Sequence, residues 1–118
     1  MNLAAPEDAE VVAELDLFSG RPNPQWRLTG PVRERLLALL RAAPPAAVPR
    51  REPGLGYRGF VIRITSGGTT TRVHVGEGSI DVDGERGRDD GRAIEKVLMQ
   101  SMPDDLKTRF GSTLPRLP

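Results

Sequence analysis

Residues 17 to 26 read LFSGRPNPQW, and this stretch joins two apolar runs of the chain. Its glycine can adopt a positive φ without steric cost, and its two prolines fix their own φ. Each proline also pushes the residue before it toward an extended conformation. The sequence therefore predicts a rigid corner between two strands, which suits a structural connection and a binding site equally well.

The corner would hold the side chains of Ser19, Arg21 and Asn23 in one arrangement. The Arg21 guanidinium has the geometry to bind a carboxylate or a phosphate, and a neighbouring acid such as Asp16 would serve as well. Trp26 is either a ligand platform or a core residue. Because the chain has only five aromatic side chains, a core position is the favoured interpretation.

The segments on both sides of the corner predict regular structure. Residues 11 to 18 alternate between apolar and polar side chains, which is typical of a half-buried strand, and residues 25 to 28 form a short second strand. The two are expected to pair as a hairpin. Pro31 and the spacing of the following leucines predict a helix over residues 31 to 42, and the proline-rich residues 43 to 53 predict a stiff connector.

A second motif, GLGYRG at residues 54 to 59, formally matches a dinucleotide-binding pattern. That pattern requires glycines that follow a strand and open a helix, whereas here they lead into the apolar residues 60 to 65, which predict a strand. The glycines more simply let the backbone bend into a sheet. Tyr57 is then expected at a lid or an edge, with Arg58 beside it.

The two motifs together, with Trp26 after the first, resemble those of a group of small uncharacterised bacterial and fungal proteins. The resemblance rests on residues 18 to 24, Trp26 and residues 54 to 59. It implies that both motifs belong to one fold. It implies no activity, substrate or cofactor.

Strands at residues 69 to 75 and 79 to 82 complete a three-stranded meander, and a second amphipathic helix runs from the acids at 89 and 90 to near residue 103. Residues 104 to 110 add one short turn of helix. The predicted fold is α+β: a mainly antiparallel sheet of four to five strands, ordered hairpin, helix, meander, helix, with two helices on one face. The domain is expected to span residues 11 to 111, between a flexible N-terminus (1 to 10) and a flexible tail (112 to 118).

The length of 118 residues and net charge of +1 indicate one small domain and argue against a dedicated nucleic-acid binder. The absence of cysteine excludes disulfides and thiol chemistry and, with no signal peptide or membrane span in the sequence, favours a cytoplasmic protein. Arginine-rich, alanine-rich usage suggests a bacterial genome rich in G and C. Residues 1 to 20 contain five acids, and residues 21 to 63 contain nine arginines. Charge blocks of opposite sign usually neutralise each other across a fold.

Catalytic and metal-binding patterns are weak. His74 is the only histidine and lies in a strand without a nucleophile motif, so an exposed or ion-paired role is favoured over a triad. The acidic loop at residues 81 to 90 lacks the spacing of a calcium-binding loop, which favours a solvated turn and helix cap. We therefore predict no metal site and no cofactor.

Two functional hypotheses remain. The first is a non-enzymatic binding or accessory protein that recognises a protein or peptide through the uncovered sheet face, which would show Arg63, Arg72 and His74, and through the corner. The second is a small enzyme or small-anion binder that uses a cleft between residues 18 to 26 and 54 to 59. The sequence does not decide whether a reaction is catalysed, nor the oligomeric state. The candidate binding residues of both hypotheses are Asp16, Ser19, Arg21, Asn23, Trp26, Tyr57, Arg58, Arg63, Arg72 and His74.

Overall fold

The structure is a computed structural model that describes residues 1, 3, 8–17, 22–46 and 57–115. Its regular elements are six strands and three α-helices, with short 3-10 turns at Asp90–Arg92 and Gly111–Thr113. The strands are β1 (Glu10–Leu15), β2 (Gln25–Leu28), β3 (Phe60–Ser66), β4 (Thr69–Gly76), β5 (Ser79–Val82) and β6 (Glu85–Arg88). The helices are α1 (Gly30–Ala42), α2 (Ala93–Ser101) and α3 (Asp104–Phe110).

All six strands form one sheet in the order β2-β1-β3-β4-β5-β6, and every neighbouring pair is antiparallel. The predicted hairpin is present, because Ala13 pairs with Trp26 across β1 and β2. Ala13 also pairs with Ile62 on β3, which pairs with Val73 on β4. This row is buried, so the alternation in the sequence identifies the face that the core covers.

The helices supply the other half of that core. Leu36, Leu37 and Leu40 of α1 are buried in the same cluster as Val97 and Leu98 of α2 and the inward side chains of the sheet. Val32, which belongs to the same apolar stripe of α1, is instead 40% exposed. The helix starts with proline in its first turn and ends just before Pro44, as the sequence predicts.

The α+β class is confirmed, but the predicted counts of four to five strands and two helices are too low. Residues 85 to 88, predicted as part of an acidic loop, form β6, and the short helical turn predicted at residues 104 to 110 is present as α3. β6 has no apolar alternation and forms through backbone pairing with β5. The turn between them has Asp83 at φ 49° and Gly84 at φ 90°, the two left-handed positions of a tight hairpin turn.

Gly59 explains why the second motif ends in glycine. Its φ is +92°, and a Cβ atom at this position would lie 2.2 Å from the backbone oxygen of Val75. Only glycine allows β3 to begin this close to β4. The expectation that this glycine lets the chain bend into the sheet is therefore met at residue 59, while Gly54 and Gly56 lie outside the described residues.

The two outer strands of the sheet differ in whether another segment bonds to their free edge. On β6, the Ala46 amide donates to the Arg86 carbonyl and the Arg88 amide donates to the Pro44 carbonyl, both at 2.9 Å. The segment after α1 therefore closes this edge. The other edge is β2, which pairs with β1 alone among the described strands.

Candidate functional site

The described part of the first motif is held by Asn23. Its side-chain carbonyl accepts from the Leu17 amide at 3.0 Å, and its amide nitrogen donates to a Glu14 oxygen at 3.1 Å. The Leu15 amide also donates to the Pro24 carbonyl at 3.0 Å. These bonds fix the end of β1 to the start of β2. Ser19 and Arg21 lie outside the described residues.

Asp16 connects the first motif to the second. A guanidinium nitrogen of Arg58 lies 2.9 Å from its carboxylate, and the Arg58 amide donates to its backbone oxygen at the same distance. The Asp16 amide in turn donates to the Gly59 carbonyl at 2.9 Å. The described residues of the second motif, 57 to 59, are therefore bonded to Asp16, at the end of the segment that leads into the first motif.

Glu14 is an acid with three side-chain hydrogen-bond partners on the face opposite the helices. It is 7% exposed and accepts from Asn23 and Gln25, each at 3.1 Å, and from Arg63 at 2.8 Å. Burial raises the pKa of this carboxyl, but the hydrogen bonds from Asn23 and Arg63 and the Arg63 charge together lower it below its ordinary value. Glu14 is therefore held as a carboxylate, and it fixes the corner to the sheet.

Five of the residues named from the sequence lie together on this face. Next to Glu14 and Asp16, the His74 Nε2 atom is 3.6 Å from an Asp16 oxygen, which is ion-pair distance but too long for a hydrogen bond. Val61, between Glu14 and His74 in the strand register, is only 1% exposed. We call this group the polar cluster; its members are Glu14, Asp16, Asn23, Gln25, Arg58, Arg63 and His74.

The polar cluster mainly balances its own charges. Glu10, Glu14 and Asp16 of the acidic first block pair with Arg27, Arg63 and Arg58 of the basic block, at 2.8 to 2.9 Å. This is the mutual neutralisation expected from the two blocks. Arg72 differs: it is exposed, stands opposite Arg63 in the register of β3 and β4, and has no carboxylate partner within the described part of the chain.

Trp26 and Tyr57 lie on the helix side of the sheet, away from the polar cluster. Trp26 is 6% exposed, and its indole N–H donates to the Ser101 hydroxyl at 2.9 Å. Both rings pack edge-on against Phe60, with centroids 6.1 Å and 5.9 Å away. Trp26 is therefore a core residue, which is the interpretation that the sequence favours. Tyr57 contacts both the sheet, at Phe60, and α2, at Glu95.

A second buried carboxylate, Glu95, was not identified from the sequence. It is fully buried, accepts a short hydrogen bond from the Tyr57 hydroxyl, and is held by Arg92 through two contacts of 2.9 and 2.6 Å. Burial and the Glu95 carboxylate raise the pKa of Tyr57, which keeps its phenol protonated. The spacing of Arg92 and Glu95, three residues apart at the start of a helix, is the signal that identifies such a pair.

Two acids of the predicted loop at residues 81 to 90 accept hydrogen bonds from the backbone. Asp81 accepts from the Gly84 amide at 2.9 Å inside the hairpin turn. Asp89 accepts from the amides of Ile94 and Glu95, at 2.8 and 3.1 Å, and so caps α2 as the sequence predicts. Among the described residues, no three acidic, histidine or cysteine side chains gather as a metal-binding group.

A groove of about 540 Å³ lies between residues 22 to 25 and α3. Pro22, Pro24 and Gln25 form one wall, and Leu106 and Phe110 form the other, with Arg109 beside them. The predicted cleft between residues 18 to 26 and 54 to 59 falls partly outside the described residues. One wall of this groove is the end of the first motif, as in the predicted cleft. The other wall is α3 and not the second motif, and the sequence does not predict this position of α3.

The groove adjoins the free edge of β2. Because the Leu15 amide donates to the Pro24 carbonyl, the alternating pattern of an antiparallel pair directs the backbone groups of Pro24, Trp26 and Leu28 toward β1. The N–H and C=O groups of Gln25 and Arg27 then point away from the sheet. Within the described residues they have no backbone partner.

Comparisons with models of known protein families, with curated proteins and with solved structures found no match. The resemblance of the two motifs to a group of small bacterial and fungal proteins therefore stays a prediction. In the described part of the chain, no helix is both long enough and apolar enough to span a membrane.

Proposed function

We propose that this protein is a recognition module that binds an extended segment of a partner protein by adding it to the sheet beside β2. The observation that carries the proposal is the contrast between the two sheet edges: β6 is closed by the chain's own residues 44 to 46, whereas the outward backbone groups of β2 have no such cover in the described residues. Free strand edges promote association, and natural proteins usually cover or shorten them. An edge left open suits a strand-shaped ligand.

The surroundings of β2 favour this use. Trp26 anchors the strand in the core, Glu14 bonds the Gln25 side chain, and Pro22 and Pro24 restrict the backbone before it. A strand that is fixed before binding loses little conformational entropy when a ligand pairs with it. Hydrogen bonds to the backbone of Gln25 and Arg27 would supply affinity for any extended chain, and the adjoining groove would supply selectivity.

The proposal retains a protein or peptide as the partner but changes the surface. The sheet face predicted from the sequence has fewer free cations than expected, because Arg63 is bonded to Glu14 and His74 lies beside Asp16. The alternative, a small enzyme or anion binder, relies on Asp16 and Asn23, which bond inside the protein. No specific contact favours that alternative, and it stays a hypothesis.

The test is a pair of substitutions on the β2 edge. Arg27→Pro removes an outward N–H without breaking a bond to β1, and proline is tolerated at such edge positions. Arg27→Ala is the matched control, because it also removes the exposed pair with Glu10 but keeps the N–H. Peptides selected from a random-peptide display library on the full chain are resynthesised, and their affinities for the three proteins are measured by calorimetry.

We expect Arg27→Pro to weaken binding by about tenfold or more and Arg27→Ala to change it by less than about threefold. N-methylation of the peptide backbone should block binding at every second position, because alternate amides of a strand face the sheet. Peptides that bind both variants equally, or that tolerate N-methylation throughout, would show that strand addition is not the binding mode.

A further inference from the structure

Resting on the proposed function, we infer that the partner segment is acidic as well as extended: apolar side chains at alternate positions enter the groove beside α3, and an aspartate or glutamate next to them pairs with Arg109. The inference names the chemistry of the partner. It follows from the faces to which alternate side chains of β2 point, from the residues that line the groove and from the charge at its rim.

Strand parity decides which side chains of the ligand meet the groove. The side chains of Trp26 and Leu28 point to the helix side, and those of Gln25 and Arg27 point to the opposite face. In a paired strand, a residue shares the face of the residue directly opposite. Ligand residues opposite Pro24 and Trp26, two positions apart, therefore project to the side where α3 lies.

The walls on that side carry apolar side chains beside the polar Asn23, Gln25 and Arg109. Leu106 and Phe110 of α3 are only partly buried and pack against the core cluster, and Pro22 and Pro24 stand across the groove from them. The volume of about 540 Å³ lies within the range of small-ligand pockets, roughly 300 to 1,000 Å³. Aliphatic, aromatic or proline side chains of a ligand would bury against these walls and displace water.

The rim of the groove carries one uncompensated cation. Arg109 is exposed, and no carboxylate of the described residues lies within ion-pair distance of it; its guanidinium carbon is 5.8 Å from the centre of the Phe110 ring. Arg63, a member of the polar cluster, and Arg27 on the neighbouring β2 each have a carboxylate at 2.8 Å. Among the described residues that line the groove, none is acidic. A cation beside an apolar wall attracts a carboxylate more strongly than one in open solvent.

The experiment compares peptide selection on three full-length proteins: the natural chain, Arg109→Glu, and Lys107→Glu. Lys107 is the matched control, because it is an exposed cation on the same helix and does not line the groove. Panning a random-peptide display library on the natural chain should enrich peptides with two apolar residues at alternate positions and an adjacent Asp or Glu. Lys107→Glu should select the same pattern, and Arg109→Glu should select Lys or Arg in place of the acid.

A charge exchange measures the contact directly. A selected peptide should lose about tenfold in affinity for Arg109→Glu, and replacing its acid by lysine should restore most of that loss. Circular dichroism of each variant checks that it is folded. If Arg109→Glu does not fold, Arg109→Gln replaces it, and the acidic preference and the salt dependence of binding should both weaken.

The outcomes separate this inference from the proposed function. Peptides that are blocked by Arg27→Pro but selected equally well by Arg109→Glu would leave strand addition standing and overturn the acidic partner. Peptides that ignore Arg27→Pro but follow the charge at residue 109 would overturn strand addition. A library that yields no binder to the natural chain would overturn both.

Discussion

The two edge strands of the sheet, β6 and β2, differ in whether described residues bond to their outward backbone groups. Each edge strand has four residues, and an antiparallel pairing leaves alternate backbone groups of each pointing outward. On β6, residues 44 to 46 supply hydrogen bonds to Arg86 and Arg88. On β2, the described residues supply none to the outward backbone groups of Gln25 and Arg27.

The difference lies in what surrounds each edge. Gly87 has no side chain, so Met1 and the Pro44 backbone can pack directly over β6. β2 instead has a groove beside it, with α3 as the far wall. A nearby segment thus closes β6 over a residue without a side chain, whereas no described segment pairs with the outer edge of β2. Four substitutions test this contrast, and we order them by expected effect on the free energy of unfolding.

The largest effect is expected from Gly87→Val on the closed edge. A Cβ atom there would lie 2.5 Å from the Met1 sulfur and 3.2 Å from the Pro44 carbonyl oxygen, so the closing segment must move. We expect a loss of about 1–3 kcal/mol, typical of overpacking, and faster hydrogen exchange at the Ala46 and Arg88 amides. Urea unfolding measures the loss. Arg88→Val, an exposed change on the same strand, is the control, and equal losses for both would contradict the closure model.

Glu14→Gln should have the next largest effect, because Glu14 fixes the start of the open edge through Asn23 and Gln25. Loss of its charged bonds should cost about 1–2 kcal/mol near neutral pH. The pKa of Glu14 is lowered in the folded protein from its ordinary value of 4.5. Its stabilisation is therefore present above that value and is lost as the pH falls through the lower, folded-state pKa.

Urea unfolding from about pH 7 to about pH 3 tests both parts of the Glu14 prediction. The difference between the natural chain and Glu14→Gln should shrink on acidification. Glu10→Gln, a change in an exposed ion pair of the same strand, should cost at most about 0.5 kcal/mol. A Glu14→Gln difference that stays constant with pH would mean that the charge of Glu14 contributes nothing to the corner.

Ala46→Pro is a smaller change on the closed edge. It removes the N–H that donates to the Arg86 carbonyl at 2.9 Å, and we expect a loss of about 1 kcal/mol in urea unfolding. Ala46→Gly, which keeps the N–H but loosens the backbone, separates the hydrogen bond from chain stiffness. No loss in the proline variant would indicate that this bond does not hold the edge closed.

Arg27→Pro should have the smallest effect on stability, although it is expected to have the largest effect on binding. Its outward N–H has no backbone partner among the described residues, so its free energy of unfolding should agree with that of Arg27→Ala to within about 0.5 kcal/mol. Urea unfolding of both proteins is the measurement. A much larger loss in the proline variant would show that this N–H already has a partner in the folded chain.

The sequence predicted much of the sheet because burial follows side-chain alternation. The strands at residues 10 to 15, 60 to 66 and 69 to 76 and the core position of Trp26 follow from such patterns. The sequence did not predict β6, because the strand Glu-Arg-Gly-Arg has no apolar alternation. The Asp83-Gly84 turn before it lies among acidic residues that resemble a solvated loop. The turn dipeptide was the available signal.

Site prediction was less complete. Asp16, Asn23, Arg58, Arg63 and His74 come together, but Trp26 and Tyr57 lie on the other side of the sheet. Neighbouring residues of a strand face opposite sides of the sheet, so Trp26 and Gln25 lie on different faces. Asn23 and Glu14 lie on the same face as Gln25. Arg109 was not named from the sequence, since nothing local indicates which strand α3 will lie against.

The sequence by itself determined the pairing of β1 with β2, the position of α1 and the identity of the buried face, because each depends on residues a few positions apart. Prolines, glycines and apolar spacing act over that range. Only the tertiary structure decided that residues 44 to 46 close β6, that α3 forms a groove beside β2, and that Glu95 meets Tyr57. These arrangements depend on backbone and side-chain contacts between residues at least 38 positions apart in the chain, and local sequence patterns do not encode such pairings.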